Sequence, residues 1–475
     1  MAESKYPAGL YFVVRTPSRI KDKQDRKGIG SHAKRAQGKR RRPAEIRSWI
    51  DSSRELGRPQ ITRPPDTPSL VSRPSPTRFG GDFSGLELPH GIEPYMIQDL
   101  TKVIALSKFG VYPYEICLHV HPTERGWFPY MIHDSCCLHS MMFSVRAFLD
   151  GNPSGPTGPL ASFHFDQTLQ LLQARLNEFD QTAAIADSTI ITIVNLATAA
   201  MVMEDHGTAA NHIKGLLKIV SLRGGLRMLN AHSNMPVKVC RIDLEYALRC
   251  GDRPLLFRER MDWGCFIADR GLIRCRHEPY DAEVHTFTKA SLDVALLNAW
   301  NDLHAFSCFS NLAYQTTRKL SPDLYNEMMM SILYRLSHLA FQDDPLQETV
   351  RTALLVFAST LFLTQQVMDR PHSRLFESYN NALARLRKST EIALPPPVEL
   401  WLAVLLHTTS SKNGVAADGE LIWLDKAILR ANITSWSQAQ EMLRSIMLVD
   451  FVHADLAKEA IQRNDLVVSL SASET

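Results

Sequence analysis

Six fixed positive charges, Lys34, Arg35, Lys39, Arg40, Arg41 and Arg42, fall within one nine-residue stretch near the start of a 475-residue chain. The chemistry open to them is the attraction of anions. Each lysine or arginine brought to a nucleic-acid phosphate releases condensed counterions whatever the base sequence. A short cluster of this kind also has the composition of a nuclear-import signal, and a solvated tail uses the same residue types. Reading bases would need side chains held against groove edges by a rigid element. Gly28, Gly30, Gly38 and Pro43 interrupt the segment and oppose a helix there. The expectation is anionic contact without sequence choice: DNA bound weakly or non-specifically through these six residues, with an import receptor as a second partner.

A second set with chemical capacity is Cys117, His119, His121, His133, Cys136, Cys137 and His139, all donors of the type that hold zinc. Their spacing argues against a metal. Structural zinc sites tend to pair ligands as Cys-x2-4-Cys or His-x3-5-His, and adjacent cysteines on a helix point to different faces. Cys136 and Cys137 sit in an apolar helical stretch, where free cysteine behaves as a small hydrophobe. The expectation is no metal and no cofactor. Gly28-Ile29-Gly30-Ser31-His32-Ala33 formally matches a dinucleotide glycine run. It lacks the strand before it and the amphipathic helix after it that would place a pyrophosphate on a helix N-terminus. No nucleophile elbow, phosphate-binding loop or His-Glu-x-x-His helix occurs. Asp134 and Asp187 read as helix N-caps rather than acid–base groups. No catalytic residue emerges, and the chain is expected not to be an enzyme.

The elements that must carry these residues follow from composition. Residues 1–43 hold thirteen Lys and Arg against Glu3, Asp22 and Asp25, a net of +10; because the whole chain carries +3, the remainder carries −7. So large an asymmetry marks an arm directed at nucleic acid or a membrane surface. The first apolar run, Leu10 to Val14, is short and followed by basic residues, so no secretory signal is expected. The apolar stretches 189–203 and 352–363 fall short of the roughly 18 residues of a membrane span. Eight scattered cysteines are then expected to be reduced and mostly packed in a core. Residues 1–50 are expected to be a disordered basic arm. Residues 51–93, with Pro59, Pro64, Pro65, Pro68, Pro74 and Pro76, read as a linker. Residues 94–465 read as one all-α domain, and 466–475 as a tail.

Within that domain, residues 134–148 start at Asp134 and bring Leu138, Met141, Met142, Val145 and Leu149 to one side. Residues 162–179 repeat the pattern with Phe165, Leu169, Leu172 and Leu176. A helix capped by Asp187 runs to about Met203 and is apolar nearly all round, hence deeply buried. Residues 212–229 set Ile213, Leu216, Leu217 and Val220 at helical spacing, and Gly224-Gly225 provide the stop. Further helices are expected over about 285–307, 323–341, 346–368, 374–391, 397–409 and 434–460. Trp401 reads as core, and Trp436 as a core or interface anchor. No alternating strand pattern appears.

The stretch Tyr11 to Arg42, with Phe12-Val13, Pro17, Ser31-His32 and the basic end Lys39 to Arg42, resembles the head of a large group of fungal regulatory proteins. Leu222-Arg223-Gly224-Gly225-Leu226 resembles a turn of the fungal-specific transcription factor domain family. Trp127-Phe128-Pro129, Asp187-Ser188-Thr189-Ile190 and Pro397 through Trp401 fit the same order. The resemblance implies an all-helical regulatory domain in a nuclear transcription regulator, and control of a metabolite gene cluster is a context the family suggests. Members that bind DNA themselves usually place six cysteines ahead of this domain, holding two zinc ions. Here no cysteine precedes Cys117, so that module is not expected. Partners would be other transcription factors, or the chain itself, through helix surfaces, with no membrane. Two alternatives stay open: an adaptor without DNA contact, recruited by a zinc-cluster factor, and a helical enzyme or small-molecule sensor.

Overall fold

The periodicity read from the sequence is realised as fifteen α-helices and two short 3-10 turns, with no strand, among the described residues. The computed structural model describes residues 92–106, 117, 130, 133–150, 158–177, 182–229, 234–258, 261–274, 276–363, 372–389, 393–412 and 418–473. All lie in the unit Ser75–Thr475, and no described helix is long and apolar enough to cross a membrane.

Six helices build a first core: α1 (Pro94–Leu106), α2 (Ser135–Asp150), α3 (Pro159–Asn177), α4 (Asp187–Val202), α5 (His206–Leu222) and α6 (Met235–Cys250). Nine build a second: α7 (Asp281–Ser291), α8 (Val294–Gln315), α9 (Pro322–His338), α10 (Pro345–Phe362), α11 (Ser373–Lys388), α12 (Pro396–Lys412), α13 (Asp418–Arg430), α14 (Trp436–Ile446) and α15 (Asp450–Ser473). Helix α6 joins the two. Its Met235, Val239 and Ile242 belong to the first core, while Cys240, Leu244 and Leu248 belong to the second. A helix apolar on both flanks must be covered on both.

Helix α4 is the centre of the first core, packed by α2, α5 and α6, and most of its length is buried. That is the outcome its all-round apolar pattern predicts. Helix α5 stops as Gly224 and Gly225 require: their φ values are 99° and 94°, and the Gly225 amide reaches back 2.9 Å to the Val220 carbonyl. With the Gly224 amide on Ser221, this is the glycine-ended stop that satisfies the last carbonyls of a helix. Asp134 caps α2, accepting from the Cys137 amide at 3.0 Å.

The structure corrects several expectations. Asp187 is not an N-cap: Ala186 holds that position without a side-chain bond, and Asp187 is the first residue of α4. Its carboxylate accepts from the Arg223 guanidinium and from the Tyr130 hydroxyl instead. In α3 the buried side is Ala161, His164, Thr168 and Leu172, while Leu169 and Leu176 face outward. The leucine pattern misleads there because a histidine and a threonine fill the core positions with their own partners. The expected helix 285–307 is two, broken at Leu292 where Asp293 caps α8 by accepting from the Ala295 amide. The expected helix 434–460 is also two. Trp401 donates its indole N–H to the Met447 carbonyl, and Asn311 takes both the Leu448 carbonyl and the Asp450 amide, so residues 447–449 are held out of the helix. Helix α15 then runs on to Ser473, past residue 465. Helices α6 and α13 were not expected. Trp401 is buried, as its surroundings predict.

Candidate functional site

Lys34, Arg35, Lys39, Arg40, Arg41 and Arg42 lie outside the described residues, as do His119 and His121. The remaining sulfur and nitrogen donors of the second sequence cluster are not gathered. Cys117 is buried in the second core, its thiol directed to the Ser310 carbonyl at 3.8 Å. Cys136 and Cys137 are buried in the first core. Burial pushes the Cys117 thiol up to about 12 and raises Cys136 and Cys137 as well. They stay protonated and pack as small apolar groups. Each described cysteine is free of a disulfide, and Cys275 lies outside the described residues.

His139 meets a different partner. Its Nδ1 lies 2.8 Å from Nδ1 of His164 on α3, and His164 Nε2 lies 2.9 Å from the Tyr95 hydroxyl on α1. Two Nδ1 atoms at that separation share a single proton, so one ring donates and the other accepts. His164 is wholly buried. Burial, then the neighbouring His139 and Arg146, lower its pKa to about 4. His139 is lowered by burial too. The pair is neutral at physiological pH and ties α1, α2 and α3 together. Such a triad can hold a proton in place, and its full mutual satisfaction accounts for its burial.

The arrangement with most chemical capacity was not foreseen. His277, His304 and Cys308 offer three ligand atoms within 4.8 Å of one another. His277 Nε2 is 3.3 Å from Cys308 Sγ, and Cys308 Sγ is 3.8 Å from His304 Nε2. The two imidazoles meet edge to face, with ring centroids 5.3 Å apart. His304 and Cys308 are one turn apart on α8, so both fall on one face. His277 comes from the turn before α7, where its amide donates to Asp281 Oδ2 at 2.8 Å and its carbonyl accepts from the Tyr280 amide at 2.9 Å. His304 Nδ1 lies 2.7 Å from the Ile446 carbonyl at the end of α14. All three residues are half-buried. The His304-x-x-x-Cys308 spacing was legible in the sequence; the third donor, 27 residues upstream of His304, has no local signal.

On a different side of α8, and on α9, polar side chains pin the backbone of residues 263–268. Asp302 accepts from the amides of Phe266, Ile267 and Ala268 at 2.8–3.0 Å. Asn298 donates to the Trp263 carbonyl at 3.0 Å. Arg335 bonds the Gly264 carbonyl at 2.8 Å and Asp302 Oδ2 at 2.5 Å, with both charged side chains wholly buried. Arg223 and Asp187, from two of the sequence motifs singled out above, also pair, with Arg223 reaching the Ile185 carbonyl at 3.3 Å. That pair links the end of α5 to the start of α4.

Comparison with protein-family models, with curated proteins and with solved structures found no match.

Proposed function

We propose that this chain is a nuclear transcription regulator of the fungal type that lacks a zinc cluster of its own. The observation that carries the reading is the charge split: a +10 arm over residues 1–43 attached to a remainder of −7. Lys34, Arg35, Lys39, Arg40, Arg41 and Arg42 supply import and non-specific phosphate contact, since charge alone selects phosphate and not base sequence. The helical body supplies surfaces for partner proteins or a second copy, and target choice comes from those partners. The resemblance of Leu222 to Leu226 and of the arm to fungal regulators supports the same assignment. Residue 223 has an architectural task in it, because its guanidinium holds α5 against α4.

A second reading, an adaptor recruited without DNA contact, is favoured by helix α3. Leu160, Phe163 and Leu171 are exposed on one side of it, apolar side chains of the kind used in protein association.

One titration separates them. Full-length protein and a variant with all six arm residues changed to Gln are bound to duplex DNA across a salt series. The first reading expects the full chain to bind indifferently to competitor sequence, with a log–log salt slope that falls by up to about 5 in the variant, at about 0.9 per phosphate. Equal, negligible binding by both proteins selects the adaptor. A single sequence surviving competition by roughly 10³-fold would overturn both, because the chain would then read DNA itself.

A further inference from the structure

We propose that His277, His304 and Cys308 form a zinc-binding centre that clamps the turn before α7 onto helix α8. This goes beyond the proposed function and is independent of it.

The donor set, two imidazoles and one thiolate, suits a borderline-soft divalent ion such as zinc rather than magnesium or calcium, which take oxygen. Distances agree with a tetrahedral ion. Bond lengths of about 2.05 Å to nitrogen and 2.3 Å to sulfur give tetrahedral edges of about 3.6 Å between S and N and about 3.3 Å between N and N. The two S···N separations, 3.3 and 3.8 Å, bracket that edge. The third separation is bounded by 4.8 Å, so a small turn of one imidazole completes the face.

Orientation is the stronger argument. A backbone carbonyl can only accept, so the 2.7 Å contact with Ile446 requires His304 to carry its proton on Nδ1. That leaves the Nε2 lone pair directed at Cys308. A ligating histidine commonly has its other ring nitrogen held in this manner, which fixes the tautomer and the ring plane. The carbonyl is itself on a rigid support. The residues just after it are held by Asn311 on the Leu448 carbonyl at 2.7 Å and by Trp401 on the Met447 carbonyl at 2.9 Å. His277 is placed by its backbone bonds to Asp281 and Tyr280, which leave the ring free of that duty. Two ligands on a buried helix and one on a bonded turn hold the triad close to binding geometry before any ion arrives. All three residues are half-buried, and three protein ligands leave the fourth position of a tetrahedral ion to water or an added ligand.

Binding is proton-coupled. The Cys308 S–H bond breaks as the S–Zn bond forms, and the proton goes to solvent; both imidazoles bind as the neutral form. One proton leaves per ion, so affinity rises with pH while the thiol is protonated.

The test uses the full-length chain, stripped with a chelator and titrated with cobalt(II), then with zinc. The expected result is one tight cobalt site showing tetrahedral ligand-field bands and a thiolate-to-metal charge-transfer band, displaced by zinc. Cys308→Ser should abolish the charge-transfer band. His277→Gln, a change on a turn that spares the α8 packing, should weaken zinc by more than about 100-fold, since even loss of an outer partner of a ligand costs 10–100-fold. Cys250→Ser, a thiol on α6, should leave both signals intact. Far-UV circular dichroism shows that each variant is folded, and if Cys308→Ser is not, His277→Gln decides. Absence of a thiolate band in the parent chain, or its retention in folded Cys308→Ser, or unchanged zinc affinity in His277→Gln, overturns the proposal.

Discussion

Replacing Asp302 by Asn should be among the most damaging single-atom changes available to this fold. The carboxylate is wholly buried, accepts three backbone amides and faces a wholly buried Arg335 at 2.5 Å. Asparagine has the same shape. With its oxygen placed at the Oδ1 position it keeps the Phe266, Ile267 and Ala268 amides. Its NH2 group then points at the Arg335 guanidinium, donor against donor, and the buried cation loses its counter-charge. Arg335 retains the Gly264 and Ser331 carbonyls at 2.8 and 3.3 Å, which are dipoles and not charges. Removing one partner of a buried pair costs about 3–5 kcal/mol, a large share of the roughly 5–15 kcal/mol that holds a typical domain. Urea unfolding followed by circular dichroism at pH 7 measures it, as a fall in midpoint at unchanged slope. Glu377→Gln, which opens the exposed pair with Arg374 at 3.4 Å, serves as the comparison and should cost less than about 1 kcal/mol. Adding Arg335→Met to Asp302→Asn should cost less than the two single losses together, by about 1 kcal/mol or more, because the stranded charge is gone. If Asp302→Asn falls within about 1 kcal/mol of the parent chain, or if the two losses simply add, the reasoning about the buried pair is wrong.

Further outcomes follow from other sites. His164 has a folded pKa of about 4, below its ordinary 6.5, so the unfolded chain binds more protons between those values. Its contribution is complete above pH 6.5 and is lost as pH falls toward 4, by at most about 3 kcal/mol. Urea midpoints at pH 7.5 and 4.5 should show that loss, and His164→Gln should flatten it; an equal pH dependence in the variant would refute the assignment. Gly225 sits at φ 94° and ψ 179°, a region essentially closed to other residues. Gly225→Ala should therefore lower stability by about 1–3 kcal/mol. Gly215 on the exposed side of α5 has nothing within 4 Å of an added Cβ, and Gly215→Ala should raise stability by about 0.5–1 kcal/mol. Thermal unfolding of the two variants should move in opposite directions.

Much of this architecture is legible in the sequence. The 3.6-residue spacing of Ile213, Leu216 and Val220 and the glycine pair after it specify α5 and its end, because periodicity and φ > 0 are local requirements. Asp134 as a cap, α4 as a buried helix and Trp401 as core are local in the same sense. Helix α6 was hidden because Asp243 and Glu245 occupy buried positions in it. Asp243 accepts the Leu255 and Leu256 amides at 2.9 and 3.0 Å, and Glu245 is held down to about 2 against burial by His372, Arg249 and Arg241. Such residues break an apolar pattern for reasons lying elsewhere in the chain. The same cause misled the reading of α3, where His164 and Thr168 take core positions that the leucines do not.

What the sequence determined alone is the all-helical class of the body, several of its caps and stops, and the electrostatic division between a basic arm and an acidic remainder. These depend on residues within a turn or two of one another, or on composition. The tertiary structure decided which charges are buried, where two expected helices break, and which donors meet. Trp401 and Asn311 break the chain after Ile446 through contacts 46, 137 and 139 residues away. Cys117 and Cys136, close in sequence, enter different cores, while His277 reaches Cys308 across 31 residues. A side chain's local pattern states which face it prefers. Only the packing of whole helices against one another fixes what that face meets.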